Sequence, residues 1–404
     1  MKILILDTVH GGGIIADRYP RPGDSVTCVD VYKVTPKEET DRLRGKGFTV
    51  STEVPGGEYD TVLMPIHCPD SFLEGVGYKE RKFFSQAVGE LIDDKRFRVE
   101  VTGVKGKTGF CCLLAHILTA AGMNVLVQTS RGRGGWADGE LVSEEVVSIA
   151  PPSMLALPDG DYDAVICEVS LGGSGKADIS CITNLIEDYP IAAGTRKASE
   201  GKMSILNGKT NIVPMGEVGF WKSYGIGKVI GYGGRITVMG KPSLGNPLRV
   251  RVDYGNGFET SLKGSYLALE YLYAAEMAVE VCGILGISES SLDLGLSSFG
   301  GVPGRGEVSF SEGRWTVTER NPGISARSVE RTFSILQEMG SLKGAAAVLD
   351  PVNRKVCCKM DSEAIKRVAA EYGVTITVTD GTGKMPSLPV SAGPLILFVK
   401  EGYT

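Results

Sequence analysis

Histidine is scarce in this 404-residue chain: His10, His67 and His116 are the only three, far apart, and no Ser/His/Asp set or metal cage is recognisable around them. No Cys-x-x-Cys pair occurs. The nine cysteines (Cys28, Cys68, Cys111, Cys112, Cys167, Cys181, Cys282, Cys357 and Cys358) are odd in number and sit mostly in apolar runs, as small buried hydrophobes do. This argues against a disulfide framework and a zinc ribbon. A basic excess is missing too. With a net charge of −5 the chain offers no general basic face to a nucleic acid. No apolar run approaches the ~20 residues that span a bilayer, and the N-terminal Met-Lys-Ile-Leu-Ile-Leu-Asp is too short for a signal segment and reads as a first strand. These absences predict a cytoplasmic enzyme with no nucleic-acid and no membrane partner; its oligomeric state is left open. Repeats and low-complexity tracts are also absent, and the 54 glycines lie singly or in short clusters between apolar runs, as in α/β loops.

What is present is a phosphate loop. Val99-Glu100-Val101-Thr102 is a β-branched strand that runs into Gly103-Val104-Lys105-Gly106-Lys107-Thr108 and then a helix. Glycines let the backbone turn its N–H groups onto phosphate oxygens, Lys107 brings a cation to the terminal phosphates, and the Thr108 hydroxyl is placed to hold Mg²⁺. ATP and Mg²⁺ are the cofactors this predicts. The usual spacing would put the first glycine at Val101; here it is Gly103, two residues closer.

The pattern along the chain is α/β throughout. Residues 1–97 read as a small domain with strands at Lys2–Leu6, Val26–Tyr32 and Thr61–Ile66, a Gly11-Gly12-Gly13 turn, and the charged stretch Asp93-Asp94-Lys95-Arg96 at its end. Residues 98–302 begin with the loop strand and a helix from Lys107 to Ala121 that Gly122 ends, followed by parallel-type strands at Asn124–Thr129, Ala164–Val169 and Ser180–Thr183. Gly219 to Phe258 reads as an antiparallel insertion, and a helix returns at Ser265–Leu285 with Gly286 at its C-cap. Residues 303–404 alternate strands (Trp315–Glu319, Ala345–Leu349, Thr375–Thr379, Leu395–Val399) with helices (Ser325–Met339, Ser362–Tyr372), giving a second open sheet.

Further candidates lie at strand ends. Glu168 closes a buried run and is placed to complete the Mg²⁺ site that Thr108 begins. The Ser130-Arg131-Gly132-Arg133-Gly134-Gly135-Trp136 turn couples two guanidiniums to an aromatic face, a combination suited to an acidic, planar substrate, with a solvated basic loop as the plain alternative. His10 and His67 each follow a strand of the first domain, where α/β sheets bind ligands, with a hydrogen-bonded loop residue as the plain alternative for either. His116 lies inside a helix and reads as structural.

Thr102–Thr108, Glu168-Val169-Ser170, Ile182-Thr183-Asn184 and Val302-Pro303-Gly304-Arg305 fall in the order and spacing of the Mur ligase family, and from about residue 97 onward the chain resembles it. The resemblance implies an α/β chain of three domains, a P-loop central domain between Rossmann-like terminal domains. It implies that Gly103, Val104, Lys105, Gly106, Lys107 and Thr108 cradle ATP, that Glu168 serves the metal, that Asn184 belongs to the nucleotide-metal region, and that Arg305 and Glu319 serve the nucleotide. Lys202 matches the region of a lysine often carbamoylated in the family. Two departures stand out: the family's Asp-His after Thr-Asn is Asp188-Tyr189 here, and its amino-acid-binding run keeps only Asn321-Pro322.

The opening Leu6–Gly13 with Val29–Tyr32 resembles one Mur-like branch whose substrate is a nickel tetrapyrrole. That likeness implies ATP activation of a propionate carboxylate as acyl phosphate and ring closure by an internal carbon nucleophile, with nickel carried by the substrate. Arg131, Arg133, Trp136 and His10 are then the substrate-binding candidates. Two other readings are open: an amide-bond ligase joining an amine or amino acid to an acidic substrate, and a nucleotide-binding regulator or metal-delivery protein.

Overall fold

The computed structural model describes residues 1–224, 227–321, 324–351, 361–379 and 392–400, with backbone alone at 143 and 144. Cys357, Cys358 and Pro322 lie outside the described residues. Contacts divide the chain into two compact units, Met1–Cys111 with Gly122–Gly233, and Cys112–Ala121 with Gly234–Thr404.

The first unit contains two sheets. Strands β1 (Lys2–Leu6), β2 (Ser25–Val29), β3 (Thr49–Ser51), β4 (Gly57–Met64) and β5 (Val76–Phe83) form a parallel sheet in the order β3-β2-β1-β4-β5, with helices α1 (Gly13–Arg18), α2 (Lys37–Gly45) and α3 (Phe84–Leu91) between them. Strand β2 stops at Val29 and not at Tyr32, because Asp30 makes a turn: its carbonyl accepts from Lys33 N–H and its carboxylate from Thr35 N–H. Helix α2 escaped the sequence reading because Leu43 is its only buried residue, which leaves no apolar period to detect.

The second sheet begins with β6 (Phe97–Thr102), after which α4 (Lys107–Ala120) starts. It continues through β7 (Val125–Thr129), β8 (Gly132–Ala137), β9 (Glu140–Glu145), β10 (Ala164–Glu168) and β11 (Ile179–Ile182). A two-residue pair, β12 (Pro190–Ile191) with β13 (Arg196–Lys197), leads to α5 (Ala198–Lys202), β14 (Thr210–Pro214), α6 (Val218–Lys222) and β15 (Lys228–Tyr232). The order is β15-β14-β11-β6-β10-β7-β8-β9, parallel from β15 to β7 and antiparallel over β7-β8-β9. Its central strands are buried on both faces, the polar Arg98, Glu100 and Gln128 included. Two expectations change here. Lys228–Tyr232 is a parallel edge strand of this sheet, and Gly132–Trp136 is one arm of a hairpin. The three glycines between Ser130 and Trp136 hid the hairpin from a reading based on strand propensity. One apolar cluster runs from Ile3, Ile5 and Ile15 to Leu126, Val165 and Cys167, so both sheets share a core.

In the second unit, β16 (Ile236–Val238), β17 (Leu248–Val252) and β18 (Phe258–Leu262) form the expected antiparallel sheet. Helix α7 (Ala268–Leu285) ends at Gly286, whose φ of +68° is the left-handed cap that glycine adopts without strain, and α8 (Glu289–Ser298) follows. The final sheet comprises β19 (Arg305–Ser311), β20 (Arg314–Asn321), β21 (Ala346–Asp350), β22 (Thr375–Val378) and β23 (Leu395–Lys400), in the order β19-β20-β23-β21-β22, with α9 (Ala326–Glu338) and α10 (Ser362–Glu371). His116 donates or accepts with Ser298 Oγ at 2.8 Å and packs on Phe299, a structural place.

Candidate active site

The phosphate loop is the connection from β6 to α4, and it is braced from the end of β11. Gly103 has φ +139°, and a Cβ on it would lie 2.0 Å from Thr183 Oγ1, so glycine is required there twice over, by conformation and by space. Thr183 Oγ1 donates to Lys105 O at 2.6 Å, Asn184 Nδ2 donates to the same carbonyl at 3.0 Å, and Asn184 Oδ1 accepts from Lys105 N at 3.2 Å. Val104 N–H is bonded to Asn184 O at 3.0 Å. The cradle is therefore narrower than the motif implied. The Val104 and Lys105 amides are committed to Asn184, and the donors left to face a phosphate are those of Gly106, Lys107 and Thr108 in the first turn of α4, which have no intrahelical acceptor. Asn184 acts here by shaping the loop.

At the mouth of the loop, Thr108 Oγ1 donates to Glu168 Oε2 at 2.8 Å, and the same carboxylate oxygen accepts Ser130 N–H at 3.1 Å. Lys107 Nζ lies 3.9 Å from Glu168 Oε1 and 3.2 Å from Gly103 O. A hydroxyl and a carboxylate aimed at one point, both buried, form the hard oxygen set that Mg²⁺ takes together with phosphate oxygens.

Lys202, at the end of α5, is fully buried and donates to Gly103 O and Ser170 O, each at 2.9 Å, tying the loop to the segment after β10. Burial and the neighbouring Lys107 cation push its pKa well below the ordinary lysine value. Tyr189 puts its ring 5.9 Å from Lys202 Nζ, while Asp188 accepts from Ser199 N and Oγ at 2.8 Å each and so fixes the start of α5.

The basic turn takes a different form from the one expected. Its first residues belong to the loop site, since Ser130 Oγ is 3.2 Å from Thr108 Oγ1 and Arg131 N–H is held by Thr129 Oγ1 at 3.1 Å. Arg133 is buried and pairs with Glu145 on the facing strand β9. Trp136 is 5% exposed, so its ring offers no open face for stacking. The hairpin has folded both side chains inward.

A second group assembles at the carboxyl edge of the first sheet, around Asp7 just after β1. Asp7 is fully buried in a left-handed conformation, φ +64°, and its Oδ1 accepts from Val9 N–H and His10 N–H. Its Oδ2 takes His10 Nδ1 at 2.6 Å and His67 Nε2 at 3.0 Å. Burial alone would raise its pKa; the bonds from His10 and His67 outweigh it and hold the carboxyl well below the ordinary range. Tyr32 stacks at 27° on His67, with centroids 6.0 Å apart, and meets His10 edge-on at 5.8 Å. Cys68 is pushed up to about 12 by burial and by Asp7, and is therefore a thiol. Sequence reading saw His10 and His67 singly and missed Asp7 and Tyr32 as their partners; the shared signal was that all four follow strand ends.

The two groups are connected. Arg196 donates to Ile66 O at 3.2 Å and Cys68 O at 2.9 Å and pairs with Asp70. Ile66 packs against Gly201, beside Lys202: a Cβ on that glycine would be 3.2 Å from Ile66 Cγ2. From His67 to the loop carbonyl of Gly103 is thus a short chain of contacts. In the second unit, Arg305 and Glu319 are register partners across β19 and β20; Arg305 Nη1 donates to Arg320 O at 2.6 Å, and Glu319 is buried.

No family model matches the chain. MurF ligase from Thermotoga maritima in complex with ADP is similar in structure, with a TM-score of 0.57 at 13% identity over 93% of this chain and 91% of that one. The fold is the one seen in the Mur ligases. Two curated relatives carry one name. Coenzyme F(430) synthetase of Methanosarcina acetivorans is 26% identical over 92% of this chain and 88% of that protein. Coenzyme F(430) synthetase of Methanocaldococcus jannaschii is 32% identical over 50% of this chain and 49% of that protein. Among the described residues no helix is long and apolar enough to cross a membrane.

Proposed function

We propose that the protein activates a propionate carboxylate of a nickel tetrapyrrole, the seco-F(430) acid, with ATP, and closes the carbocyclic ring of coenzyme F(430), releasing ADP and phosphate. The observation that carries this reading is the likeness to a coenzyme F(430) synthetase along nearly the whole chain. The geometry is suited to the first half-reaction. A carboxylate is a poor acyl donor because its leaving group would be oxide or hydroxide; phosphorylation supplies phosphate as the leaving group. Lys107 and the first-turn amides of α4 bear on the charge that develops during phosphoryl transfer. Thr108 and Glu168 are the residues that would hold Mg²⁺, which would supply positive charge against the phosphates.

The first sheet supplies the substrate side on this reading. Val9 and Tyr32 are each 38% exposed, and Val34, next to Thr35 whose hydroxyl is 2.6 Å from that of Thr8, is 40% exposed. These apolar faces around His10 and His67 suit a flat macrocycle, and Tyr32 takes the stacking role first given to Trp136. Arg131 is the remaining candidate for a substrate carboxylate. Lys202 is assigned as the lysine carbamoylated in the family by resemblance, and its lowered pKa is in the direction that favours the amine form which adds CO₂. Arg305 and Glu319 are assigned to the nucleotide by resemblance alone. The division at 97 and 302, and a cytoplasmic location, belong to the same proposal.

The test is anaerobic incubation of the protein with Mg-ATP and the seco acid, following ADP and the absorption of the pigment. Ring closure coupled to ADP without any added amine is the expected result; ADP release that requires an amine would replace this reading with amide ligation.

A further inference from the structure

The ring-closing half-reaction needs something the phosphate loop does not offer, a base for the proton on the attacking carbon. We propose that His10, oriented by Asp7 and buttressed by His67, is that base; the inference rests on the ring-closure reading above.

Four observations support it. First, the Asp7 carboxylate is ionised and has no proton to give, so both imidazoles must be donors toward it: His10 through Nδ1 and His67 through Nε2. In its neutral form His10 is then the tautomer whose Nε2 carries the lone pair, the form a general base requires. Second, the imidazolium formed when Nε2 takes a proton is stabilised by the buried carboxylate 2.6 Å from Nδ1. Third, the carboxylate is preorganised. Asp7 sits in a left-handed conformation that costs an aspartate free energy, is fully buried, and is held by two backbone N–H groups besides the two rings. Fourth, the group is reachable and close to the activation site. The His10 side chain is 36% exposed, and the chain of contacts through Ile66, Gly201 and Lys202 ends on Gly103 of the phosphate loop.

A base on the first sheet is what an internal nucleophile demands. When the attacking atom belongs to the substrate itself, its proton must be removed where the substrate is held. The step balances as follows. The C–H bond of the nucleophilic carbon breaks and its proton goes to His10 Nε2. The electron pair forms the carbon–carbon bond to the acyl carbonyl, the acyl C–O bond to phosphorus breaks, and inorganic phosphate leaves. The imidazolium then returns its proton to solvent. His10 is the catalytic residue; Asp7 and His67 are positioning residues.

The experiment compares wild type, His10→Gln and His10→Gly with Mg-ATP and the seco acid, under anaerobic conditions. It reads the acyl phosphate by hydroxylamine trapping and ring closure by absorption. We expect acyl phosphate to form in the variants as in wild type, ring closure to slow about 10²–10⁴-fold, and added imidazole to restore part of the closure rate in His10→Gly. Because Asp7 is fully buried and its replacement puts the fold at risk, His67→Gln serves as the second variant; it should shift the pH dependence of closure and leave trapping unchanged. Closure at the wild-type rate in His10→Gln, or equal loss of trapping and closure with no imidazole rescue, overturns the assignment to His10. Wild type that traps no acyl phosphate, or that needs an amine, overturns the ring-closure reading and this inference with it.

Discussion

The two groups in the first unit are built in opposite ways. The phosphate site is a run of six consecutive residues, Gly103 to Thr108, whose function lies in backbone shape, and its supports Thr183, Asn184 and Lys202 bond mainly to loop carbonyls and amides. The Asp7 group is made of four side chains from three separate segments, residues 7 and 10, residue 32 and residue 67, converging on one carboxylate and on each other's rings. A backbone device has to be contiguous in sequence, because only neighbouring residues can shape one turn. A side-chain device needs only that parallel strands end at the same edge.

Substitutions sharpen the contrast. The largest effect is expected from Lys107→Met, which should lower ADP formation about 10²–10³-fold while leaving the ring signals of His10 and His67 in an NMR titration where they are in wild type. Gly103→Ala should be next: with φ at +139° and Thr183 Oγ1 in the way, it should cost about 1–3 kcal/mol in a urea titration and weaken ATP binding in parallel.

Asp7→Asn addresses the side-chain group. The folded-state pKa of Asp7 lies below its ordinary 3.8, so its contribution to stability is present above that value and lost as pH falls below it. The variant should be less stable at neutral pH, and its acid-induced loss of stability below 3.8 should be shallower than that of wild type, measured by urea midpoints. Lys202→Met tests the opposite sign. A lysine whose folded pKa is lowered binds fewer protons folded than unfolded, so its penalty fades as pH rises toward 10.5. Wild-type stability should climb over that range, and the variant should climb less. The smallest effect is expected from Arg133→Gln: its partner Glu145 is 55% exposed, so the change should cost at most ~1 kcal/mol and leave substrate affinity unchanged. A loss of substrate affinity in that variant would return the hairpin to the substrate site.

Much of the central sheet was legible because β7 and β10 are buried on both faces and read as largely apolar runs, and α4 and α7 because Gly122 and Gly286 mark their ends. The polar helix α2 and the glycine-rich strand β8 were not, since neither shows an apolar period. At the site, Lys107, Thr108 and Glu168 meet at the mouth of the loop. Arg133 and Trp136 are both buried in the hairpin, and the residue pattern of that segment did not reveal a strand.

By itself the sequence determined the phosphate loop and the α/β alternation, because both are local: a turn needs its glycines, and a strand or helix its period. Only the tertiary structure decided that Asp7 joins two histidines lying 3 and 60 residues away, that Asn184 takes two loop amides from the phosphate, and that Tyr32 keeps an exposed ring where Trp136 does not. Those outcomes depend on which strands lie side by side, and that is settled by packing of the whole sheet.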